Sequence, residues 1–198
     1  MNNESNSYFS VKHRFSAYLS PWPENQPLPS ESELKGMLPL GLQLISEVKA
    51  MEASCLLQLR NLDDEARTVV DYLKLQSRKI DLVLQYVLEQ QPNEGDKYIG
   101  QQFGGSGIQI IGDTQLEIGK HYRVTLHIKD VLLSILCIAQ CISSTPMSGS
   151  GNQQTSFESA LEFSQILDED IEQLVKASLN VQQKQLQQRK KDNQTKSS

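Results

Sequence analysis

The sequence lacks the features that would place it in a membrane, in a secretory pathway or on a nucleic acid. Its apolar runs fall well short of the roughly 18 to 20 residues that a membrane-spanning helix needs. Its start, MNNESNSYF, has neither the basic nor the apolar region of a signal peptide. The net charge of -5 is opposite to the basic surplus typical of nucleic-acid binding. We therefore expect a cytoplasmic protein without membrane insertion and without a nucleic-acid partner.

Cysteine is scarce: the chain has Cys55, Cys137 and Cys141, each inside an apolar segment. An odd number of cysteines in such segments favours reduced, buried thiols over disulfides. Nothing accompanies them at the spacing of a zinc site, and His121 and His127 would lie about 20 Å apart along an extended strand. We expect no metal site.

Catalytic and phosphate-binding motifs are missing as well. The chain contains neither a Gly-x-Ser-x-Gly elbow nor a Gly-x-x-x-x-Gly-Lys-Ser/Thr loop. The stretch QQFGGSGIQI (101–110) is glycine-rich but lacks the third glycine of Gly-x-Gly-x-x-Gly. A tight hairpin whose glycines take positive φ is favoured there over a ligand contact. We expect no catalytic residues and no enzyme.

Glycine and proline are both absent between Gly41 and Pro92, which predicts one long helix over residues 41–91. Positions spaced alternately by three and four residues run through it, and eleven of the thirteen are apolar: Ile45, Val48, Glu52, Cys55, Leu59, Leu62, Ala66, Val69, Leu73, Gln76, Ile80, Val83 and Val87. Such heptads indicate a coiled coil that associates with copies of itself. An intramolecular helical hairpin is the alternative, but LDDEARTVVDY (62–72) offers no residue that would break the helix.

The register of the heptads bears on the number of chains. With Ile45, Leu59, Leu73 and Ile80 at a positions, the d positions are largely β-branched, a pattern that leans away from two strands. We expect a tetramer, with a trimer and either helix orientation left open.

The rest of the sequence alternates apolar and polar residues with the period of β-strands. A loop over residues 21–39 contains a helical turn with capping-box character at Ser30. The hairpin tip 144–156 is polar, a C-terminal helix covers 167–190, and 191–198 is a frayed tail. The predicted strands are 8–20, 97–103, 108–111, 121–129, 131–143 and 157–163.

This order of elements resembles the PilZ domain, the bacterial cyclic di-GMP receptor module. The features that carry the resemblance are the six strands, the turn ending Ser-Gly-Ile, and a closing helix with IEQLVKASLNVQQKQLQQRKK. The inserted heptad helix is similar to that of the atypical PilZ subfamily, whose helices assemble into tetramers. The resemblance implies an α+β fold over residues 1–198. In it, a six-stranded antiparallel β-barrel, with strands two to six in 97–166, carries a long coiled-coil helix inserted after strand one and a C-terminal helix.

The resemblance also implies where a nucleotide would bind. Ligand-binding PilZ domains carry Arg-x-x-x-Arg before the barrel and Asp/Asn-x-Ser-x-x-Gly between strands two and three. In this chain the second motif falls on Gln102, Gly104 and Gly107, of which Gly107 alone keeps the family residue. The arginine motif is missing, and Arg14, within the first predicted strand, is the first arginine of the chain.

Two functions follow as hypotheses. The first is a non-enzymatic oligomeric PilZ-like adaptor in cyclic di-GMP-linked control of motility, biofilm formation or virulence. It would bind cyclic di-GMP weakly or not at all, need no cofactor, and act on a protein partner of unknown identity. The second is a genuine cyclic di-GMP receptor with a non-standard site. A purely structural coiled-coil assembly protein is a third possibility.

Overall fold

The structure is a computed structural model that describes residues 10–44, 48, 51, 67–90, 94–131, 133–147 and 155–195. The chain divides into two compact units. The first comprises Met1–Gly36 together with Glu94–Ser198, and the second is the insertion Met37–Asn93. The predicted heptad helix lies in the second unit.

The first unit is a closed barrel with the strand order β1-β2-β3-β6-β5-β4. Every neighbouring pair is antiparallel, which confirms the predicted α+β fold with a six-stranded antiparallel barrel. The strands are β1 (Val11–Pro21), β2 (Asp96–Phe103), β3 (Gly107–Gly112), β4 (His121–Ile128), β5 (Leu133–Met147) and β6 (Ser156–Gln165). Helices α1 (Glu31–Gly36), α2 (Arg67–Gln90) and α3 (Asp168–Thr195) lie among the described residues.

Two boundaries lie four or more residues from the prediction, both in polar stretches. Residues 144–147, predicted as part of the hairpin tip, continue β5 because they pair with β6 as far as Met147 and Ser156. Residues 191–195, predicted as part of a frayed tail, belong to α3. Polar composition suggested loop in both places, but strand ends and solvated helix ends have the same composition.

The barrel interior is filled by alternate residues of each strand, as the period-two pattern predicts. In β4 the side chains of Tyr122, Val124, Leu126 and Ile128 are buried in the core, as expected. Thr125 belongs to the outer set of this strand and is nevertheless buried. The outer face of β4 is therefore covered at this position.

Two aromatic rings in the barrel pack directly over glycines. Phe15 is the cross-strand partner of Gly100, and a Cβ atom at position 100 would overlap the phenyl ring. Tyr98 covers Gly112 in the same way. These glycines leave room for the rings, which is a common reason for glycine within a strand.

A second buried layer lies outside the barrel. Leu136 and Ile138 alternate with the inward-facing residues of β5, yet both are fully buried. Helix α1 contributes the buried Leu34 and is linked to α3 by an ion pair of 3.7 Å between Lys35 Nζ and Glu169 Oε1. The loop between β1 and the insertion thus ends in a helix that is anchored to the first unit.

The predicted capping box at the start of α1 is present. The backbone N–H and the hydroxyl of Ser30 both donate to Glu33 Oε2 at 2.7 Å, and the Glu33 N–H donates to Ser30 Oγ at 3.4 Å. These bonds satisfy N–H groups that a helix start otherwise leaves unpaired, and they lower the pKa of Glu33.

The second unit contains α2, which lies within the predicted helix of 41–91, and residues 40–44 are also helical. Val48 is among the described residues, whereas Ile45, Cys55, Leu59, Leu62 and Ala66 lie outside them. The continuous heptad helix stays a prediction over its full length.

Candidate functional site

The glycine-rich stretch between β2 and β3 forms a tight hairpin. The Gly104 N–H donates to the Gly107 carbonyl at 3.1 Å, which leaves Gly105 and Ser106 as the loop residues. The Ser106 carbonyl in turn accepts from the Phe163 N–H at 2.9 Å. The hairpin is as predicted, and its backbone is already bonded within the protein.

The predicted reason for these glycines was wrong. In the described part of the chain the glycines with positive φ are Gly95 and Gly119, not those of this turn. Gly107 is needed for space instead, because a Cβ atom there would overlap the Leu161 carbonyl oxygen on β6. Close backbone approach, and not a left-handed conformation, explains this glycine.

Helix α3 packs against the turn. A Cβ atom at Gly105 would lie 3.0 Å from Val175 Cγ2 and 3.6 Å from Ile171 Cγ2. The buried face of α3, which includes Leu174, Ala177 and Val181, joins the barrel core. Side chains of this chain therefore occupy the space next to the turn.

The start of β1 is held beside the turn by glutamine amides. Gln102 Nε2 donates to Ser10 Oγ at 2.8 Å. From α3, Gln185 Nε2 donates to the Lys12 carbonyl at 2.8 Å and Gln182 Nε2 to the Ser10 carbonyl at 3.5 Å. The Gln102 side chain is thus bonded within the protein, to Ser10. The start of β1 is attached in this way to both β2 and α3.

The structure brings three of the four predicted nucleotide-site residues together. Gln102, Gly104 and Gly107 lie at the β2–β3 hairpin, and Arg14 lies on β1, the strand that pairs with β2. Because Lys12 pairs with Gln102 and Phe15 with Gly100, Arg14 falls in the irregular stretch between these two pairs. Its side chain is exposed within an irregular stretch of β1.

One cluster next to this region was not found from the sequence. His13 Nε2 lies 3.3 Å from Asp130 Oδ2, and the imidazole meets the ring of Phe103 edge-on at a centroid distance of 6.0 Å. These residues are about 90 and 117 positions from His13, so no local pattern could have linked them. The cluster ties β1 to β2 and to the β4–β5 connection.

The cysteines of the barrel are unsuited to nucleophilic chemistry. Cys137 and Cys141 are free and buried, as predicted, and Cys55 lies outside the described residues. Burial, aided by the charge of Asp170, raises the pKa of Cys137 far above its usual value. Burial also raises the pKa of Cys141. Both thiols are protonated near neutral pH, and the thiolate is the reactive form.

Two further findings concern the described residues taken together. They contain no group of three or more His, Cys, Asp or Glu side chains placed to hold a metal ion. Among them, no helix combines the length and the apolar composition needed to cross a membrane.

A second candidate site is the surface of α2. Five of the predicted association residues there are exposed, and Gln76 is half-buried. The exposed ones are Val69, Leu73, Ile80, Val83 and Val87. A neighbouring row of exposed apolar residues, Tyr72, Leu75, Leu82 and Tyr86, widens this face. We refer to both rows together as the apolar face of α2.

No protein-family model matches the chain, and no curated protein has significant sequence similarity to it. Solved structures do match. A pathogenic protein from Xanthomonas campestris, described as a new tetrameric PilZ domain self-assembled via an unusual helical bundle, superposes with a TM-score of 0.52 and 13% identity. The match covers 93% of this chain and 90% of that chain.

Two other solved structures match the chain over about half of its length. The PilZ domain of YcgR from Escherichia coli with c-di-GMP has a TM-score of 0.41 and 13% identity, covering 48% of this chain and 78% of that chain. MrkH from K. pneumonia in its apo state has a TM-score of 0.43 and 9% identity, covering 47% of this chain and 43% of that chain. The chain therefore corresponds to less than half the length of MrkH.

The closed barrel of six antiparallel strands, followed by a helix that packs against its core, defines a small α+β barrel domain. The match to the Xanthomonas protein extends over nearly the whole of both chains and shows which barrel fold this is. The chain has the fold of a PilZ domain.

Proposed function

We propose that the protein is a non-enzymatic, homo-oligomeric signalling adaptor that acts in bacterial cyclic di-GMP-linked regulation in the cytoplasm. The observation that carries this proposal is the packing of α3 against the glycine turn, where Val175 and Ile171 lie next to Gly105. A domain that fills this place with its own helix has little room there for a dinucleotide. Because the domain then binds the nucleotide weakly or not at all, its proposed function is to present its surface to a protein partner.

The polar groups around the turn support the same proposal. Phosphates and guanines are bound most strongly by paired guanidinium groups and charge-assisted hydrogen bonds. Here the turn offers the uncharged Gln102, already bonded to Ser10, and the paired strand β1 contains a single arginine, Arg14. No second arginine stands four residues from Arg14.

Self-association is supported by the apolar face of α2. Monomeric proteins seldom expose continuous apolar stripes, because such stripes gain free energy when they are buried in a partner. The exposed fraction is 46% for Leu73, 53% for Ile80 and 62% for Val83. The Xanthomonas protein, similar over nearly the whole chain, is described as a tetramer assembled through a helical bundle. We propose the same kind of assembly for residues 41–91.

The width of the apolar face supports more than two helices. A two-stranded coiled coil buries a narrow seam of two residues in seven. In α2 the row of Tyr72, Leu75, Leu82 and Tyr86 adds a second seam beside the first. A helix with two adjacent seams can contact two neighbours, and we propose a tetramer.

Light scattering of the full chain, combined with a substitution, tests the assembly. Leu73→Asp places a charge in the seam and should convert the tetramer into smaller species at micromolar concentration. Lys74→Glu changes charge on the side of the helix opposite both apolar rows and should leave the tetramer intact. A wild-type monomer, or a tetramer that survives Leu73→Asp, would show that this seam does not hold the chains together.

A receptor with a non-standard nucleotide site is the second candidate. The observation in its favour is that Arg14 is exposed and that Gln102 still lies beside the turn. Titration with cyclic di-GMP separates it from the adaptor.

A further inference from the structure

The face of α3 that points away from the barrel has an unusual order of side chains. Glu172, Leu179 and Leu186 are seven residues apart, and Lys190 follows Leu186 by four, so all four lie in one row along the helix. All are exposed, with exposed fractions of 43% for Leu179 and 56% for Leu186. We call these four residues the outer row of α3. Glu172 stands at the start of the row, where Lys176 is bonded to it at 3.2 Å, the middle is apolar, and Lys190 makes the end basic.

Most charges of the helix follow the same order, with Lys176 in its first half and Asp192 near its end as the exceptions. Its first turn contains Asp168, Glu169 and Asp170, and its last part contains Lys184, Arg189, Lys190 and Lys191. This distribution suits the helix dipole. It also makes the outer row complementary to a reversed copy of itself.

We propose that the outer row of α3 is a self-complementary surface on which α3 of a second copy packs in the antiparallel direction. The antiparallel arrangement places Glu172 of each copy opposite Lys190 of the other, with Leu179 and Leu186 in the centre of the contact. A parallel arrangement would instead bring acidic ends together and basic ends together, which is unfavourable. The contact is isologous, so one twofold axis relates the two copies.

The contact is small and its charge pairs are exposed, so it is weak between separate chains. Chains that another surface already holds together raise the effective concentration of α3 and strengthen it. The observation is independent of α2, since it concerns residues of the barrel unit alone. The α3 contact can therefore fail while the proposed assembly through 41–91 stands.

Cysteine cross-linking of the full chain measures the direction of packing. The twofold axis lies beside residue 181, midway between 172 and 190, so residue 183 is displaced from its counterpart by four residues, about 6 Å along the helix. Residue 187 is displaced by twelve residues, about 18 Å. In a Cys55→Ser background, a short bismaleimide should join two Gln183→Cys chains and not two chains with the matched Gln187→Cys. Equal yields at both positions, or no cross-linking at position 183, would overturn the proposal.

Charge-reversal variants test whether Glu172 of one copy pairs with Lys190 of the other. Glu172→Lys and Lys190→Glu, each in the Gln183→Cys chain, should lower the cross-linking yield by roughly fivefold, since each creates repulsion at both ends of the contact. An equimolar mixture of the two variants restores both pairs and should restore the yield. Lys184→Glu, off the outer row, is the matched control and should have little effect. Loss without rescue in the mixture would contradict the pairing. Light scattering of Glu172→Lys and Lys190→Glu separates this contact from association through α2, since both variants should keep the proposed tetramer.

Discussion

Gly105 and Val175 are packed so closely that a single methyl group at position 105 would lie 3.0 Å from Val175 Cγ2. The turn between β2 and β3 and the C-terminal helix therefore form one packed contact. In a PilZ fold this turn is where the resemblance places nucleotide ligands. Here the glycine at position 105 gives room to a side chain of the protein itself.

A double-mutant cycle measures this contact. Gly105→Ala should lower the free energy of unfolding by about 1 kcal/mol, because Val175 must move to admit the methyl group. In a Val175→Ala background the same change should cost much less, since the obstructing methyl is gone. Urea unfolding at one fixed protein concentration gives both values. Equal costs in the two backgrounds would mean that Gly105 and Val175 are not coupled.

The two buried serines of the β5–β6 pair predict an asymmetric effect. Ser144 Oγ lies 2.8 Å from Ser159 Oγ and also accepts the Leu116 N–H at 3.2 Å. Ser144→Ala should cost about 2 kcal/mol of unfolding free energy because it leaves two buried groups without this partner. Ser159→Ala removes one bond and should cost less. A larger effect for Ser159→Ala would contradict the assignment of the Leu116 bond.

Thiol labelling tests the packing of the barrel core. In a Cys55→Ser chain, Cys137 and Cys141 should not react with a thiol reagent under native conditions near neutral pH. Their raised pKa keeps both thiols protonated, and burial blocks access. Both should react at once when the chain is unfolded in denaturant. Rapid labelling of either residue in the folded protein would show that β5 is not packed as described.

The capping box predicts a pH-dependent contribution to stability. The hydrogen bonds from Ser30 lower the pKa of Glu33 in the folded state. Their contribution to stability is therefore fully present above the pKa that Glu33 has in the unfolded chain. It is lost as the pH falls through the folded value. Ser30→Ala should therefore lower the Tm at neutral pH and have a smaller effect in acid. An equal shift of Tm at both pH values would argue against the cap.

The sequence was sufficient to predict the barrel strands, because the alternation of apolar and polar residues in a strand indicates which side chains face the core. The pattern Tyr122, Val124, Leu126 and Ile128 predicted the inner face of β4 correctly. Alternation cannot show what covers the outer face, however, and this is why the burial of Leu136 and Ile138 was not predicted. Both depend on layers packed outside the barrel.

The candidate site was less predictable, since its contacts join residues that are distant in the sequence. The glycines of residues 104–107 predicted a tight turn. The space that requires glycine there is limited by Leu161 and Val175, which are more than fifty residues away in the sequence. The bonds of Gln182 and Gln185 to the start of β1 are likewise long-range. No periodicity within a segment can reveal such contacts.

Calorimetric titration of cyclic di-GMP into the full chain tests the central claim most directly. The packing of α3 beside Gly105 and the lack of an arginine pair predict no saturable binding in the low-micromolar range. A second titration with the Val175→Ala chain shows whether making room at the turn is enough to restore binding, and without an arginine pair it should not be. Low-micromolar binding by the wild-type chain would contradict the adaptor and establish a receptor.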